Sequence, residues 1–221
     1  MPPGQPVAAI TFFSAAHLFS IAKEAVNRLA NAPSDRDSAH PDALVAILFA
    51  AASLEAFANE VGYLAREQLQ TNPEIKTLGQ VLEELEASAS IQLKYLLLRG
   101  ILARALYDKG ARPYQDFALL IALRNELVHR KAERYEVDES DAPLTANQLL
   151  ARLRSKNITA EPRGKKPQVW GLLLAIETRA VANWAVDTVA AMMKDIASAA
   201  PQEFRLVLEA RYPLILGAPA A

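Results

Sequence analysis

Apolar residues recur along most of the chain at the three- and four-residue spacing that is typical of amphipathic helices. This pattern predicts helices over about residues 7–30, 42–70, 73–107, 113–131 and 168–199. The second of these is apolar on nearly every side, which indicates a position at the centre of a bundle. Gly79 and Gly100 are expected to bend the third. No stretch shows the alternation that a half-buried strand requires.

Short breaker segments separate most of these helices, as in an up-and-down bundle. We therefore predict an all-α fold of four to five long helices in one domain over residues 1–221. Residues 132–166 form a variable insertion before the last long helix. Inside it, Thr145-Ala-Asn-Gln148 predicts a capping box ahead of a short helix over about residues 149–153. Residues 202–221 form a C-terminal tail whose packing the pattern does not define.

Composition and charge narrow the classes of protein to which this sequence can belong. Of the 221 residues 52% are hydrophobic, the formal net charge is −1, and there is no cysteine. A charge so close to zero excludes a protein that binds nucleic acid over its whole surface and leaves room only for a local basic patch. The most apolar run, residues 43–54, ends at Glu55 before it reaches the length of a membrane span. The first residues lack the features of a secretory signal, so we expect a cytoplasmic protein without a membrane partner.

The stretch Leu123-Arg-Asn-Glu-Leu-Val-His129 combines polar and apolar residues in an unusual way. At about 100° per residue, Arg124 falls within the apolar arc of its helix. Asn125 and His129 lie four residues apart at one edge of that arc and therefore share a face. An arginine among apolar neighbours requires a carboxylate, a phosphate or a cleft, because an unpaired buried charge is very costly.

Acceptors for this arginine are available on two other predicted helices. Glu55 and Asn59 are four residues apart on one face of the second helix, and Glu177 lies on an apolar arc of the last. All three side chains are therefore expected to point inward, towards Arg124. A buried polar pair that fixes helix register is an equally good interpretation of Glu55 and Asn59, and for Glu177 we expect a structural role.

Two of these segments resemble the signature of HEPN domains, a family of helical bundles. Arg124-Asn-Glu-Leu-Val-His129 is similar to the family motif of Arg, often followed by a polar residue, and His after four to six intervening residues. Leu54-Glu-Ala-Phe-Ala-Asn-Glu60 is similar to a Glu-x-x-x-Asn element on a preceding helix. The order of helices resembles the family over about residues 7–200.

The resemblance implies a metal-independent endoribonuclease. His129 would act as general base or acid at the ribose 2′-OH or the leaving 5′-oxygen, and Arg124 would hold the scissile phosphate. Asn125 would hydrogen-bond the phosphate or orient His129, while Glu55, with Asn59, would support Arg124. The products would carry 2′,3′-cyclic phosphate and 5′-OH ends. By analogy, the setting would be that of a toxin or of anti-phage defence.

The resemblance also implies partners. In active family members two motifs meet across a dimer cleft. A homodimer would resolve a difficulty here, because Arg124 and His129 lie roughly 140° apart on an ideal helix. An antitoxin or defence protein is a further expected partner. Candidate RNA contacts are the basic residues that follow the motif and continue through the insertion: Arg130, Lys131, Arg152, Arg154, Lys156, Arg163, Lys165 and Lys166.

Other interpretations stay open. A catalytically silent HEPN-like module for interaction or regulation would lock Arg124 to Glu55 and leave His129 in bulk solvent. The basic residues of the insertion would then be a solvated loop. A nucleotide-binding bundle has little support, because there is no glycine-rich phosphate loop. His17 and His40 have no neighbours with metal-ligand spacing, so we expect neither a metal nor a cofactor.

Overall fold

The described part of the chain is α-helical outside its connecting turns. The computed structural model describes residues 12–31, 40–68, 73–85, 88–129, 148–159 and 172–217. Its helices are α1 (Ala15–Asn31), α2 (Pro41–Gln68), α3 (Pro73–Glu84), α4 (Ile91–Ala103), α5 (Tyr114–Val128), α6 (Gln148–Ser155), α7 (Leu172–Ile176), α8 (Arg179–Ala199), α9 (Gln202–Arg211) and α10 (Pro213–Leu216). These ranges contain no strand, which confirms the predicted all-α helical bundle.

Helix α2 lies in the middle of the bundle, as its apolar sequence predicts. It packs against α1, α3, α4, α5 and α8. Its side chains Leu54, Phe57 and Val61 are fully buried, and burial of such groups is the main stabilising contribution to a fold. By length and mean hydropathy α2 would also suit a membrane span, but 56% of that window is buried inside the bundle, as in a core helix.

Two glycines allow α2 and α3 to cross with their backbones in contact. A Cβ added to Gly79 would lie 2.8 Å from the carbonyl oxygen of Gly62 and 2.7 Å from the backbone nitrogen of Arg66. A Cβ added to Gly62 would lie 2.9 Å from the Cβ of Leu82. The absence of side chains at both positions therefore sets the distance between the two helices.

The segment predicted as one bent helix over residues 73–107 is two separate helices. The break falls before Ser90, the N-cap of α4, whose hydroxyl oxygen accepts a hydrogen bond from the backbone N–H of Leu93 at 3.3 Å. Such a cap satisfies one of the donors that a helix start leaves unpaired. Gly79 and Gly100, the predicted bends, lie inside α3 and α4.

The last long helix also breaks. The sequence predicts one helix over residues 168–199, whereas Glu177 and Thr178 separate α7 from α8. Thr178 is the N-cap of α8, and its hydroxyl oxygen accepts from the backbone N–H of Val181 at 3.3 Å. The apolar spacing continues through the break, so periodicity alone could not locate it.

Helix α1 begins at Ala15, later than predicted, because a side chain from α2 caps it. Residues 12–14 are not helical, and residues 7–11 lie outside the described part. The Oε1 atom of Glu60 accepts hydrogen bonds from the backbone N–H groups of Ser14, at 2.5 Å, and Ala15, at 2.9 Å. This carboxylate satisfies donors at the start of α1 from a position 45 residues away in sequence.

The described part of the tail, residues 202–217, packs into the core. Helices α9 and α10 follow α8 closely and bury Phe204, Leu208, Tyr212 and Ile215. The Tyr212 hydroxyl donates to Oε2 of Glu60 at 2.7 Å, and its ring meets Phe57 at 5.1 Å between centroids. The tail is therefore fixed to the same carboxylate that caps α1.

The described part of the insertion is also anchored. Helix α6 corresponds to the predicted short helix, while Thr145 of the predicted capping box lies outside the described residues. The hydroxyl of Thr159 donates to the carbonyl oxygen of Ala175 at 2.7 Å. Apolar side chains of residues 148–159 enter the core: Leu150, Leu153 and Ile158.

Candidate functional site

Helix α5 carries the motif residues at its C-terminal end. Phe117, Leu120 and Leu123 anchor the helix in the core. Arg124 was expected inside this apolar arc, but its side chain is 35% exposed. Arg124 is therefore only partly buried, and its guanidinium is accessible to solvent.

His129 is the C-cap of α5 and no longer helical, with φ −108° and ψ 16°. Its backbone N–H donates to the carbonyl oxygen of Asn125 at 2.9 Å, and both side chains are exposed. Within the described residues, no hydrogen bond or ion pair joins the side chains of His129 and Arg124. The two motif residues thus share the C-terminal end of α5.

The Arg124 guanidinium has two neighbours. Nη1 donates to Oδ1 of Asn125 at 3.0 Å. Nη2 lies 3.8 Å from Oε2 of Glu55 on α2, within ion-pair range but too far for a hydrogen bond. The predicted association of Arg124 with Glu55 is therefore present in a loose form. Because Glu55 is 50% exposed, the expectation that it points inward was wrong.

Asn59, one helical turn beyond Glu55 on α2, contacts a lysine that the sequence reasoning missed. Nζ of Lys94 on α4 donates to Oδ1 of Asn59 at 2.8 Å, and Lys94 is only 1% exposed. A lysine among the apolar residues of α4 was the available signal, because a buried ammonium requires polar partners. Within the described residues, Asn59 is thus joined to Lys94 on α4, and no hydrogen bond joins it to Glu55.

Glu177, the second acid that was expected to point inward, is not part of the continuous helix that the sequence predicts. It lies in the turn between α7 and α8 and is partly buried. The arc on which it was placed assumed one unbroken helix, and the cap at Thr178 removes that basis. On α2, the acid whose two carboxylate oxygens both accept hydrogen bonds is Glu60. The sequence showed it only as the last residue of the segment 54–60.

The candidate RNA-contacting residues fall into three groups. Arg152 is exposed and Arg154 is partly exposed on α6. Lys156 is only 15% exposed, and its Nζ contacts Oδ1 of Asp116 on α5 at 2.6 Å. Its charge therefore supports the packing of the insertion on α5. The others lie outside the described residues: Arg130, Lys131, Arg163, Lys165 and Lys166.

Histidines do not assemble with acids in the described part of the chain. His17 is exposed on α1, and His40 lies just before α2. Across residues 12–31, 40–68, 73–85, 88–129, 148–159 and 172–217, no three His, Asp or Glu side chains are grouped so that they could hold a metal ion. Within the described residues, the Arg124 site consists of its guanidinium, the amide of Asn125 and the carboxylate of Glu55, with the exposed His129 at the same end of α5.

No protein-family model matches the chain, and neither the curated proteins nor the solved structures gave a significant match.

Proposed function

We propose that the chain is a HEPN-like endoribonuclease that cleaves RNA by attack of a ribose 2′-OH on the adjacent phosphate. The observation that carries the proposal is the half-exposed Arg124, held by an amide at 3.0 Å and by a carboxylate only at 3.8 Å. A purely structural arginine would be sealed by close, multiple acceptors. The motif residues Asn125 and His129 are exposed at the same end of α5.

Arg124 is available to a phosphate on energetic grounds. An ion pair of two side chains that are 35% and 50% exposed contributes little, about 0–1 kcal/mol, because water screens it. Two parallel hydrogen bonds from a guanidinium to a phosphate are stronger and directional. A phosphate would therefore displace Glu55 at small cost.

His129 supplies the proton chemistry in this proposal. A general base removes the 2′-OH proton while the 2′-oxygen bonds to phosphorus. The bond from phosphorus to the 5′-oxygen breaks, and that oxygen takes a proton from a general acid. One imidazole from each of two chains provides base and acid, since histidine exchanges protons near neutral pH. Arg124 stabilises the charge that develops on the phosphate oxygens.

The partners follow from the same proposal. Within the described residues of one chain, no hydrogen bond or ion pair joins the side chains of Arg124 and His129, and in this proposal a second copy completes the site across a homodimer cleft. A nuclease of this kind fits a toxin or defence setting, with an antitoxin or defence protein as regulator. The silent-module alternative rests on one observation, the exposure of the His129 side chain.

Cleavage of total RNA and tRNA in EDTA tests the proposal. The wild type should leave cyclic-phosphate and 5′-OH ends, and His129→Ala and Arg124→Ala should each lower the rate at least about 100-fold. Matched controls are His17→Ala, an exposed histidine of α1, and Arg28→Ala, an arginine paired with Asp42. Both should cleave like the wild type. Absence of cleavage by folded, dimeric wild type would favour the silent module.

A further inference from the structure

Residues from α9 and from the segment before α1 meet on the surface of the protein. The guanidinium of Arg211, the last residue of α9, lies over the Phe13 ring, with 3.6 Å between Cζ and the ring centroid. The preceding residue, Phe12, is 79% exposed. A single exposed apolar side chain is common on protein surfaces, but an exposed ring next to a cation that covers a second ring is a more specific arrangement.

The fold holds Phe13 and Arg211 in place through their neighbours in sequence. Ser14 follows Phe13, and its backbone N–H donates to Oε1 of Glu60 at 2.5 Å. Tyr212 follows Arg211, and its hydroxyl donates to Oε2 of Glu60 at 2.7 Å. One buried carboxylate therefore joins the two segments that carry the ring and the guanidinium. A surface built on such fixed segments is preorganised for a ligand.

Most other charged groups around these segments have partners within the fold. The Phe13 ring meets the Tyr63 ring at 5.9 Å, and the Arg66 guanidinium lies 5.5 Å from the Tyr63 ring. Arg66 forms ion pairs with two carboxylates, those of Glu67 and Glu83. The carboxylate of Glu60 is buried and accepts hydrogen bonds at both oxygens.

Arg211 differs from them, because within the described residues it takes part in no ion pair. Glu209 is two residues away on α9 and therefore lies about 200° round the helix. At 3.6 Å the guanidinium plane must lie roughly parallel to the Phe13 ring, since an edge-on approach would push its nitrogens into the ring carbons. Its N–H edge is then available to a phosphate. The Cα of Phe12 is about 3.8 Å from that of Phe13, so an exposed ring adjoins this edge.

We infer that Phe12, Phe13 and Arg211 form a contact site for single-stranded RNA, in which Arg211 binds a phosphate and the Phe12 ring stacks on a base. RNA as the ligand rests on the proposed function. A nucleotide supplies both a planar base and a phosphate, whereas an acidic peptide would use the arginine alone. The contact adds affinity without reading the sequence, because every base has a face that can stack.

The site is separate from the cleavage motif but adjoins the same central helix. Tyr63, which contacts Phe13, lies eight residues from Glu55, a rise of about 12 Å along α2. A strand of about ten nucleotides, at 3.4 Å or more for each, is several times longer than this rise. One oligonucleotide of that length therefore serves as the probe.

The test measures the Kd of a fluorescent RNA of about ten nucleotides by anisotropy at several salt concentrations. A 2′-O-methyl group at every position blocks the attacking hydroxyl. Phe12→Ala should raise Kd about ten-fold and leave its salt dependence unchanged, because only stacking is lost. Arg211→Gln should raise Kd about five-fold and reduce the slope of log Kd against log salt by about 0.7, the contribution of one phosphate contact.

Two control variants remove the same kinds of group elsewhere. Leu106→Ala truncates a side chain that is 72% exposed, and Arg104→Gln removes an arginine that is 78% exposed and paired with Glu74. Both should keep Kd within about two-fold of the wild type. Phe12→Trp should bind like the wild type and show quenching of its indole emission when RNA is added, because a base stacks on it.

If Arg211→Gln fails to fold, Phe12→Ala decides the outcome, since a ring that is 79% exposed contributes little to the core. Wild-type Kd in Phe12→Ala, an unquenched Phe12→Trp or no binding by the wild type would overturn the inference. Competition by polyglutamate as strong as by unlabelled RNA, and lost in Arg211→Gln, would also overturn it and identify a contact for acidic protein.

Cleavage assays separate this inference from the proposed function. Cleavage by the wild type with an unchanged KM in Phe12→Ala would overturn the inference and leave the nuclease standing. Binding that depends on Phe12 and Arg211 without any cleavage would support the contact site and overturn the nuclease.

Discussion

Two glutamates of α2, Glu55 and Glu60, are only five positions apart, yet the first is exposed and the second is buried. Glu60 is 9% exposed and accepts four hydrogen bonds, from the backbone of Ser14 and Ala15 and from the hydroxyls of Ser14 and Tyr212. Glu55 is 50% exposed, and its recorded partner is Arg124 at 3.8 Å. The same residue type therefore fixes three segments at one position and leaves an arginine accessible at the other.

The difference shows which polar groups a ligand can use. At Glu60 every carboxylate oxygen has donors, so a ligand would have to break buried hydrogen bonds whose loss leaves unsatisfied groups. At Glu55 the ion pair is loose and hydrated, so a phosphate can replace the carboxylate. Burial and saturation of hydrogen bonds thus separate Glu60, which joins segments of the fold, from Glu55, which the proposed function uses.

The largest expected effect comes from removing the two carboxylates one at a time. Glu60→Ala should lower the free energy of unfolding by about 3–5 kcal/mol, because it leaves several buried donors unsatisfied. Glu55→Ala should change it by less than about 1 kcal/mol. Urea unfolding followed by circular dichroism measures both. Equal losses in the two variants would remove the distinction between the sites.

The crossing of α2 and α3 allows a second comparison, between a glycine packed against backbone atoms and a glycine that is not. Gly79→Ala should cost about 2–3 kcal/mol of stability, because its Cβ would meet backbone atoms at 2.7 and 2.8 Å. Gly100→Ala meets only the end of the Leu106 side chain at 3.3 Å and should be neutral or stabilising. Thermal unfolding of both variants checks this contrast, and a neutral Gly79→Ala would show that the crossing is looser than described.

The insertion offers a comparison between two basic residues. Lys156→Met should destabilise by about 2 kcal/mol, since Asp116 is 11% exposed at its side chain and loses its closest cation. Arg152→Met, on the exposed face of α6, should be within about 0.5 kcal/mol of the wild type. The RNA affinity of the two variants, measured separately, then shows whether Arg152 contacts the ligand.

Alkaline pH should destabilise the fold through three tyrosines, one of which donates to Glu60. Burial, and then the charge of Glu60, raise the pKa of Tyr212, and burial also raises the pKa of Tyr95 and of Tyr107. A raised pKa in the folded state gives stability that is complete below the unfolded value of about 10 and is lost as pH rises above it. Each such tyrosine contributes a slope of about 1.4 kcal/mol per pH unit there.

Tyr212→Phe isolates one of these contributions. The variant is less stable at neutral pH because it loses a hydrogen bond to Glu60, yet its stability should decline less steeply between about pH 10 and 11. Urea midpoints measured across that range provide the test. Parallel curves for wild type and variant would mean that Tyr212 ionises as easily in the folded protein as in the unfolded one.

The sequence predicted the helical class and the central position of α2, because apolar periodicity reports burial directly. It did not reveal the breaks at Ser90 and Thr178. There the apolar spacing continues across the gap, and only a hydroxyl hydrogen bond to a backbone N–H marks the new start. Caps of this kind are single local hydrogen bonds, and the spacing of apolar residues does not report them.

For the candidate site, the sequence predicted the association of Arg124 with Glu55 but not its exposure. Helical angles give the direction of a Cβ, whereas the end of an arginine or glutamate side chain is set by rotamers and neighbours. Lys94 and Glu60 were missed because their partners come from distant segments. Long-range pairs such as Glu60 with Tyr212 leave no spacing pattern in one sequence.

The most direct test of the account measures stability and RNA cleavage on the same Arg124→Ala protein. If Arg124 binds the scissile phosphate and contributes little to the fold, the free energy of unfolding stays within about 1 kcal/mol of the wild type. Cleavage of RNA then falls at least about 100-fold. A loss of several kcal/mol in stability, with cleavage per folded molecule unchanged, would contradict it and identify Arg124 as a structural residue.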